Sequence, residues 1–384
     1  MSRLFLSIPT PQDIENLAAS ASRRGFKVEE VGRSQEGRPI YAMRVGSGDV
    51  RILIVAGQHG SEPAPIVAAM NFVRMVMENE IRIEGMELAV IPCANPDGLS
   101  RLGPCLERCG APSWKCDCAE ARLTASLRDM NRDWLELRLP ETQAIHSFIH
   151  RFDPHIVLDL HEFYARRGSP PRWAHETEGF DAYVTDAPYI GTSPEVQALS
   201  MVLASIIRNA IEKATGLVVK ILRPGNGIAA IPPIYLGSHV PLEGRAKVLV
   251  ETWGVGLGTY LIYERILAHL EAIRRTIEFV SKNVDFVKIV ERLDRRYDEI
   301  VGLEGPRKYV VKGPDAVRAH EHLSRHGIDA KLVEDSVVIE MPQRFSRIAR
   351  ILLDDSYYLV KLFAERSVRT TIDSWLNVSI HRIY

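Results

Sequence analysis

Short apolar runs bounded by polar turns recur through the first two thirds of the chain, at residues 51–56 (RILIVA), 86–91 (MELAVI), 155–160 (HIVLDL) and 246–250 (AKVLV). None alternates cleanly between apolar and polar positions, so each reads as a strand covered on both faces. Residues 64–78, 193–214 and 260–280 repeat apolar side chains at helical spacing. The pattern predicts an α/β fold with a mixed, largely parallel central sheet flanked by helices.

Each apolar run leads into a polar cluster: HGSEP, NPDG, HEF and ETWG in turn. Ligand sites in open α/β sheets gather beyond the carboxyl ends of the strands, so four such clusters point to one pocket. After residue 284 the text changes. Strands are expected at 308–312, 330–334 and 336–341, with helices at 315–326 and 344–353. The chain therefore divides into a large domain over 1–284 and a small C-terminal α+β domain over 285–384.

Composition narrows the function classes. With 46% hydrophobic and 25% charged residues the chain is an ordinary globular one rather than disordered. Lys and Arg total 48 against 49 Asp and Glu, which gives no general attraction for nucleic acid or an anionic membrane. No run approaches the roughly 20 apolar residues of a membrane span. The opening stretch, MSRLFLSIPTPQD, is broken by prolines rather than built as a signal peptide, so a cytoplasmic location is expected.

His59 and Glu62 stand three apart just past the first buried strand, where a tight turn can aim an imidazole and a carboxylate at one point. His161, in VLDLHEF, also lies at a strand end. Two histidines and a glutamate leave a fourth position for water, the pattern of a catalytic zinc site. Glu251 ends an apolar strand in VLVETWGVG, where a bare carboxylate is costly unless it faces a polar site. Its expected role is general base.

The order and placement of HGSE, NPDG, RDMNRDW, LDLH and VETWG resemble the zinc carboxypeptidases of the carboxypeptidase A type, opening at GRSQEGRPIYAMRVG and spanning about residues 31–263. The resemblance implies that fold and one catalytic zinc held by His59, Glu62 and His161. It implies that Asp129 bonds a ligand imidazole, and that Asn131 and Arg132 bind the free α-carboxylate of the substrate. Arg101 matches the arginine that polarises the scissile carbonyl, and Tyr235, in PPIYLGS, resembles the mobile tyrosine that covers bound substrate. The segments are more distantly similar to the succinylglutamate desuccinylase and aspartoacylase deacylases. The expected reaction is hydrolysis of an amide beside a free carboxylate, most directly release of a C-terminal amino acid from a peptide. The alternatives are an N-acyl amino acid deacylase and a non-catalytic carboxylate-binding module. A homo-oligomer is left open.

Cys105, Cys109, Cys116 and Cys118 crowd the segment between NPDG and NRDW. Such an array can hold a second, structural metal, form disulfides or stay reduced. Its place in sequence predicts that it borders the substrate pocket. His320, His322 and His326 ride a charged helical pattern and read as solvated.

Overall fold

The computed structural model describes residues 4–110, 118–164, 179–187, 189–223 and 231–384. The larger sheet contains β1 (Lys27–Arg33), β2 (Pro39–Gly46), β3 (Val50–Ala56), β4 (Met86–Ile91), β5 (Ile156–Phe163), β6 (Ala182–Thr185), β7 (Val219–Ile221) and β8 (Ala246–Trp253). Their order is β1-β2-β4-β3-β5-β8-β6-β7. Strands β4, β3, β5 and β8 run parallel at the centre. The β1–β2 hairpin joins antiparallel at one side and β6 at the other. The four apolar runs of the sequence are these four central strands. The outer strands lack that signature, because β1 is half-exposed and β6 and β7 are only 4 and 3 residues long.

Helices α1 (Pro11–Arg23), α2 (Pro63–Met77), α3 (Pro96–Cys109), α4 (Pro140–Phe152), α5 (Pro194–Thr215) and α6 (Ile262–Lys282) surround the sheet. The first five open on proline, where the missing N–H would have had no helical partner anyway. Ser193 accepts the Val196 amide to start α5, and Gly216 ends it in the left-handed conformation. One face of the sheet packs on α1, α2, α5 and α6. The opposite face takes Phe148, Ile149 and Phe152 of α4 against Leu53, Val55 and Val157.

The remainder comprises α7 (Val284–Leu303), β9 (Lys308–Lys312), α8 (Ala316–Arg325), β10 (Ala330–Val333), β11 (Ser336–Glu340), α9 (Ser346–Leu353), α10 (Tyr358–Ala364) and β12 (Ser379–Ile383). Its antiparallel sheet is ordered β10-β11-β9-β12. Tyr309, Val337, Ile348 and Phe363 form its core, which Leu135 and Leu242 enter from the earlier part of the chain. At this seam the buried Arg347 bridges Asp294 at 2.6 Å and Asp298 at 2.9 Å.

Two of the C-terminal histidines depart from the expected solvated placement. His322 and His326 are buried, because α8 turns its Ala319 and Leu323 face inward and His322 and His326 follow that face. No helix among the described residues is long and apolar enough to cross a membrane.

Candidate metal centre and active-site cleft

His59 lies in the turn after β3, and Glu62 occupies the residue just before α2. The turn can form because two glycines permit close backbone approach. A Cβ on Gly60 would fall 2.1 Å from the Leu99 nitrogen, and one on Gly98 would fall 2.4 Å from the Ala121 carbonyl oxygen. His161 arrives from β5. Strand register places it beside Glu251 of β8, and Glu251 beside Tyr183 of β6, so the three side chains form a row across adjacent strands.

The two imidazoles are held in matching fashion. His59 Nδ1 lies 2.6 Å from Glu62 Oε1, and His161 Nδ1 lies 2.8 Å from Glu62 Oε2. Their Nε2 atoms face away, 2.9 Å from Asp129 Oδ1 and 2.9 Å from Asp159 Oδ1 respectively. Those outer carboxylates accept Nε2–H and turn the Nδ1 lone pairs inward, as imidazole ligation of a metal requires. Behind Asp159, Gln58 Nε2 donates to Oδ1 at 2.8 Å and Trp134 Nε1 donates to Gln58 at 2.9 Å.

The charges around the two imidazoles oppose the effect of burial. Burial pushes the Glu62 carboxyl up, but His59 and His161 outweigh it and hold the group far below the usual carboxylate range. Burial pushes His161 down, yet Asp159 and Glu62 draw it well above the ordinary histidine value. The pocket thus calls for positive charge at its centre. Two imidazoles and one carboxylate, with their donor atoms within 4.8 Å of one another and one side open to a cleft, suit zinc in chemistry and number. Glu251 is raised, chiefly by burial and also by Glu62, against the lowering effects of His161 and of a hydrogen bond to Tyr183.

The cleft has a volume of about 790 Å³ and is lined by the candidate ligands His59, Glu62 and His161 and by Glu251, Asn131, Arg132 and Tyr235. Asn131 is fixed by the Leu236 amide, which donates to its Oδ1 at 2.9 Å. The Arg132 guanidinium stacks 4.4 Å from the Tyr235 ring centre and is half-exposed. Arg366 and Val368 of the C-terminal part complete one wall.

Arg101 is placed elsewhere. The helix α3 runs on from NPDG and carries this residue to the β1–β2 turn, where it pairs with Glu36 and donates to the Thr124 carbonyl at 3.3 Å. Besides Arg132 and Arg366, the cleft is reached by Arg122, 3.4 Å from Glu62 and 3.0 Å from Asp129. Its place after the unusual cysteine segment gives it no motif of its own. Asp159 does have a signal in the sequence, since two residues before His161 on a strand puts both on one face. Tyr183 and Lys247 carry no local motif at all.

Cys105 and Cys118 form a disulfide, with sulfurs 2.15 Å apart. Cys109 is disulfide-bonded as well, and Cys116 lies outside the described residues. A structural metal at this cluster would require the Cys105–Cys118 bond to be open. No described residue between 103 and 119 lines the cleft.

Fold and donor set together define an α/β protein with a catalytic-type metal centre at the carboxyl ends of its parallel strands. The chain belongs to the zinc carboxypeptidase family, whose profile matches residues 12–218. Carboxypeptidase 2 of Trichophyton tonsurans is 25% identical over 293 residues, covering 69% of this chain and 50% of that protein. Probable carboxypeptidase 2 of Arthroderma benhamiae is 27% identical over 289 residues, covering 69% and 51%. The chain thus spans about half the length of the curated relatives it matches. Among solved structures, thrombin-activatable fibrinolysis inhibitor aligns with a TM-score of 0.54 at 17% identity, covering 73% of this chain and 79% of that one. The bovine form, in complex with tick carboxypeptidase inhibitor, gives 0.53 at 16%, covering 72% and 98%. These two likenesses concern the fold.

Proposed function

We propose that this protein removes the C-terminal amino acid from peptides by zinc-dependent hydrolysis, with Glu251 as general base. The observation that carries the reading is the row His161–Glu251 in a cleft that Asn131 and Arg132 also line. The family and the names of the curated relatives support it.

Zinc held by His59, Glu62 and His161 would supply Lewis acidity and make water a stronger acid. The protein's own groups do the rest. Asn131 Nδ2 and the Arg132 guanidinium bind the terminal carboxylate, since a planar guanidinium pairs two oxygens at once. Arg122, which lines the cleft where Arg101 does not, takes the role of steadying charge on the carbonyl oxygen. Glu251 takes a proton from the attacking water and delivers one to the leaving nitrogen. Burial raises its carboxyl toward the range useful for both transfers. Tyr235, stacked on Arg132, shelters the bound chain end.

The test is a mass-spectrometric assay of zinc-loaded protein on paired peptides with free and amidated C-termini, alongside N-acyl amino acids. Loss of single residues from free termini alone is expected, and Glu251→Gln should slow it by about 10²–10⁴-fold with zinc retained. Equal cleavage of amidated peptides would remove the carboxylate-recognition step. Cleavage of the N-acyl amino acids alone would move the protein to the deacylases.

A further inference from the structure

Away from the cleft, at the seam between the two sheets, four buried side chains converge. His146 comes from α4, His239 and Glu243 from the turn before β8, and His326 from the end of α8. His146 Nε2 lies 3.1 Å from His239 Nε2, His239 Nε2 lies 3.2 Å from Glu243 Oε1, and His146 Nε2 lies 3.7 Å from that oxygen. A tetrahedral zinc ion with bonds of about 2.0–2.1 Å has ligand–ligand edges of roughly 3.3–3.4 Å. The three separations bracket that edge.

Proton bookkeeping sharpens the point. His239 Nδ1 donates to the Pro233 carbonyl at 3.3 Å, so its Nε2 presents a lone pair to Glu243. His326 Nε2 donates to the Leu135 carbonyl at 2.9 Å, which leaves Nδ1 as its free donor atom, buried and without a hydrogen-bond partner. His146 Nδ1 has no partner either. His150 serves Glu243 Oε1, so one proton on His146 Nε2 is all that hydrogen bonding offers to His239 Nε2, and His326 Nδ1 is left without any donor. Glu243 is flanked by His150 at 2.9 Å and Arg245 at 2.7 Å, which orient its two oxygens.

We propose that His146, His239, His326 and Glu243 form a second, structural zinc-type site that fastens the C-terminal α8 to the catalytic sheet. Each of the four offers a donor atom within 4.8 Å of the others, and all are buried. With four protein ligands the shell is closed, in contrast to the open trio in the cleft. Residues from both parts of the chain are needed to complete it, so it forms only in the folded whole.

Metal content decides the matter. Protein stripped with chelator, reloaded with Zn²⁺ and desalted should hold about two ions per chain by elemental mass spectrometry. Glu62→Gln and His326→Gln should each lose about one of them, and the double variant nearly all. Co²⁺ loaded into the Glu62→Gln protein should give the visible absorption of a tetrahedral nitrogen–oxygen shell. A single ion in the parent protein overturns the proposal, as does a second ion that survives His326→Gln. A thiolate-to-cobalt charge-transfer band would assign the second ion to the cysteines and likewise overturn it. The parent and Glu62→Gln measurements leave the cluster untouched, so the test stands even if His326→Gln folds poorly.

Discussion

Arg122 donates to two carboxylates that already hold the metal-ligand imidazoles, so it is pinned at the mouth of the site by charges that have other work. Arg101 makes a half-exposed pair with Glu36. Removing a preorganised donor to a developing oxyanion costs about 10²–10³ in kcat, whereas a surface ion pair contributes roughly 0–1 kcal/mol. Steady-state kinetics should therefore show a large loss in Arg122→Ala and little change in Arg101→Ala. A reversal would return the role to Arg101. Lys247 makes a second case. Its buried ammonium reaches the cleft and is met by the hydroxyls of Thr185 at 2.8 Å and Tyr189 at 3.1 Å and by the Asp186 carbonyl at 3.2 Å. These are neutral partners, so an anionic side chain entering the cleft would be welcomed. Hydrogen bonds to charged groups contribute about 1.5–3 kcal/mol. Lys247→Met should accordingly lower kcat/KM for peptides ending in Asp or Glu by tens-fold and spare those ending in Leu. The candidate ligands His59, Glu62 and His161, and Glu251 with them, stood out in the sequence because they lie in polar clusters at or just beyond the ends of apolar runs. Arg122 and Lys247 did not, since only tertiary placement distinguishes them from other cationic residues.

At the scale of elements, the central strands were legible because a strand covered on both faces must be apolar throughout. The β1–β2 hairpin and the short edge strands were not, because edge positions tolerate mixed composition. How helix α7 is tied to the larger sheet also needed the structure. His155, which precedes β5, lies 3.2 Å from Glu291 of α7. The hydrogen bond from His155 holds the Glu291 carboxyl down at about 2, against its own partial burial. A carboxyl lowered on folding adds stability that is full above its unfolded value, roughly 4.3, and is lost as pH falls toward the folded value. The stability difference between the wild type and Glu291→Gln, from urea unfolding, should be constant near pH 6 and vanish by about pH 2. A difference that persists unchanged at pH 2 would mean that the carboxylate does not bear on stability through this bond.

For the whole molecule, Arg347 is the decisive seam residue. It is buried between Asp294 and Asp298 of α7, with its own backbone on α9. Removing one member of a buried charge network leaves the others uncompensated and costs about 3–5 kcal/mol. Arg347→Met should lower the unfolding midpoint markedly in calorimetry, and a loss below 1 kcal/mol would show that water reaches the two carboxylates. A change of periodicity near residue 284 was readable in the text. The seam was not. His326 contacts the Leu135 carbonyl across 191 positions, and contacts of that range leave no periodic trace in a single sequence.

The bond between Cys105 and Cys118 is remote from the reacting atoms, yet Arg122 follows it by four residues in a short helical turn that begins at Ala119. The address of the guanidinium is thus written partly in covalent chemistry. Reduction would lengthen its leash without disturbing a single metal ligand, so turnover should fall under dithiothreitol while zinc content holds steady. Cell compartments that keep thiols reduced and those that oxidise them would then house the same chain at two different speeds.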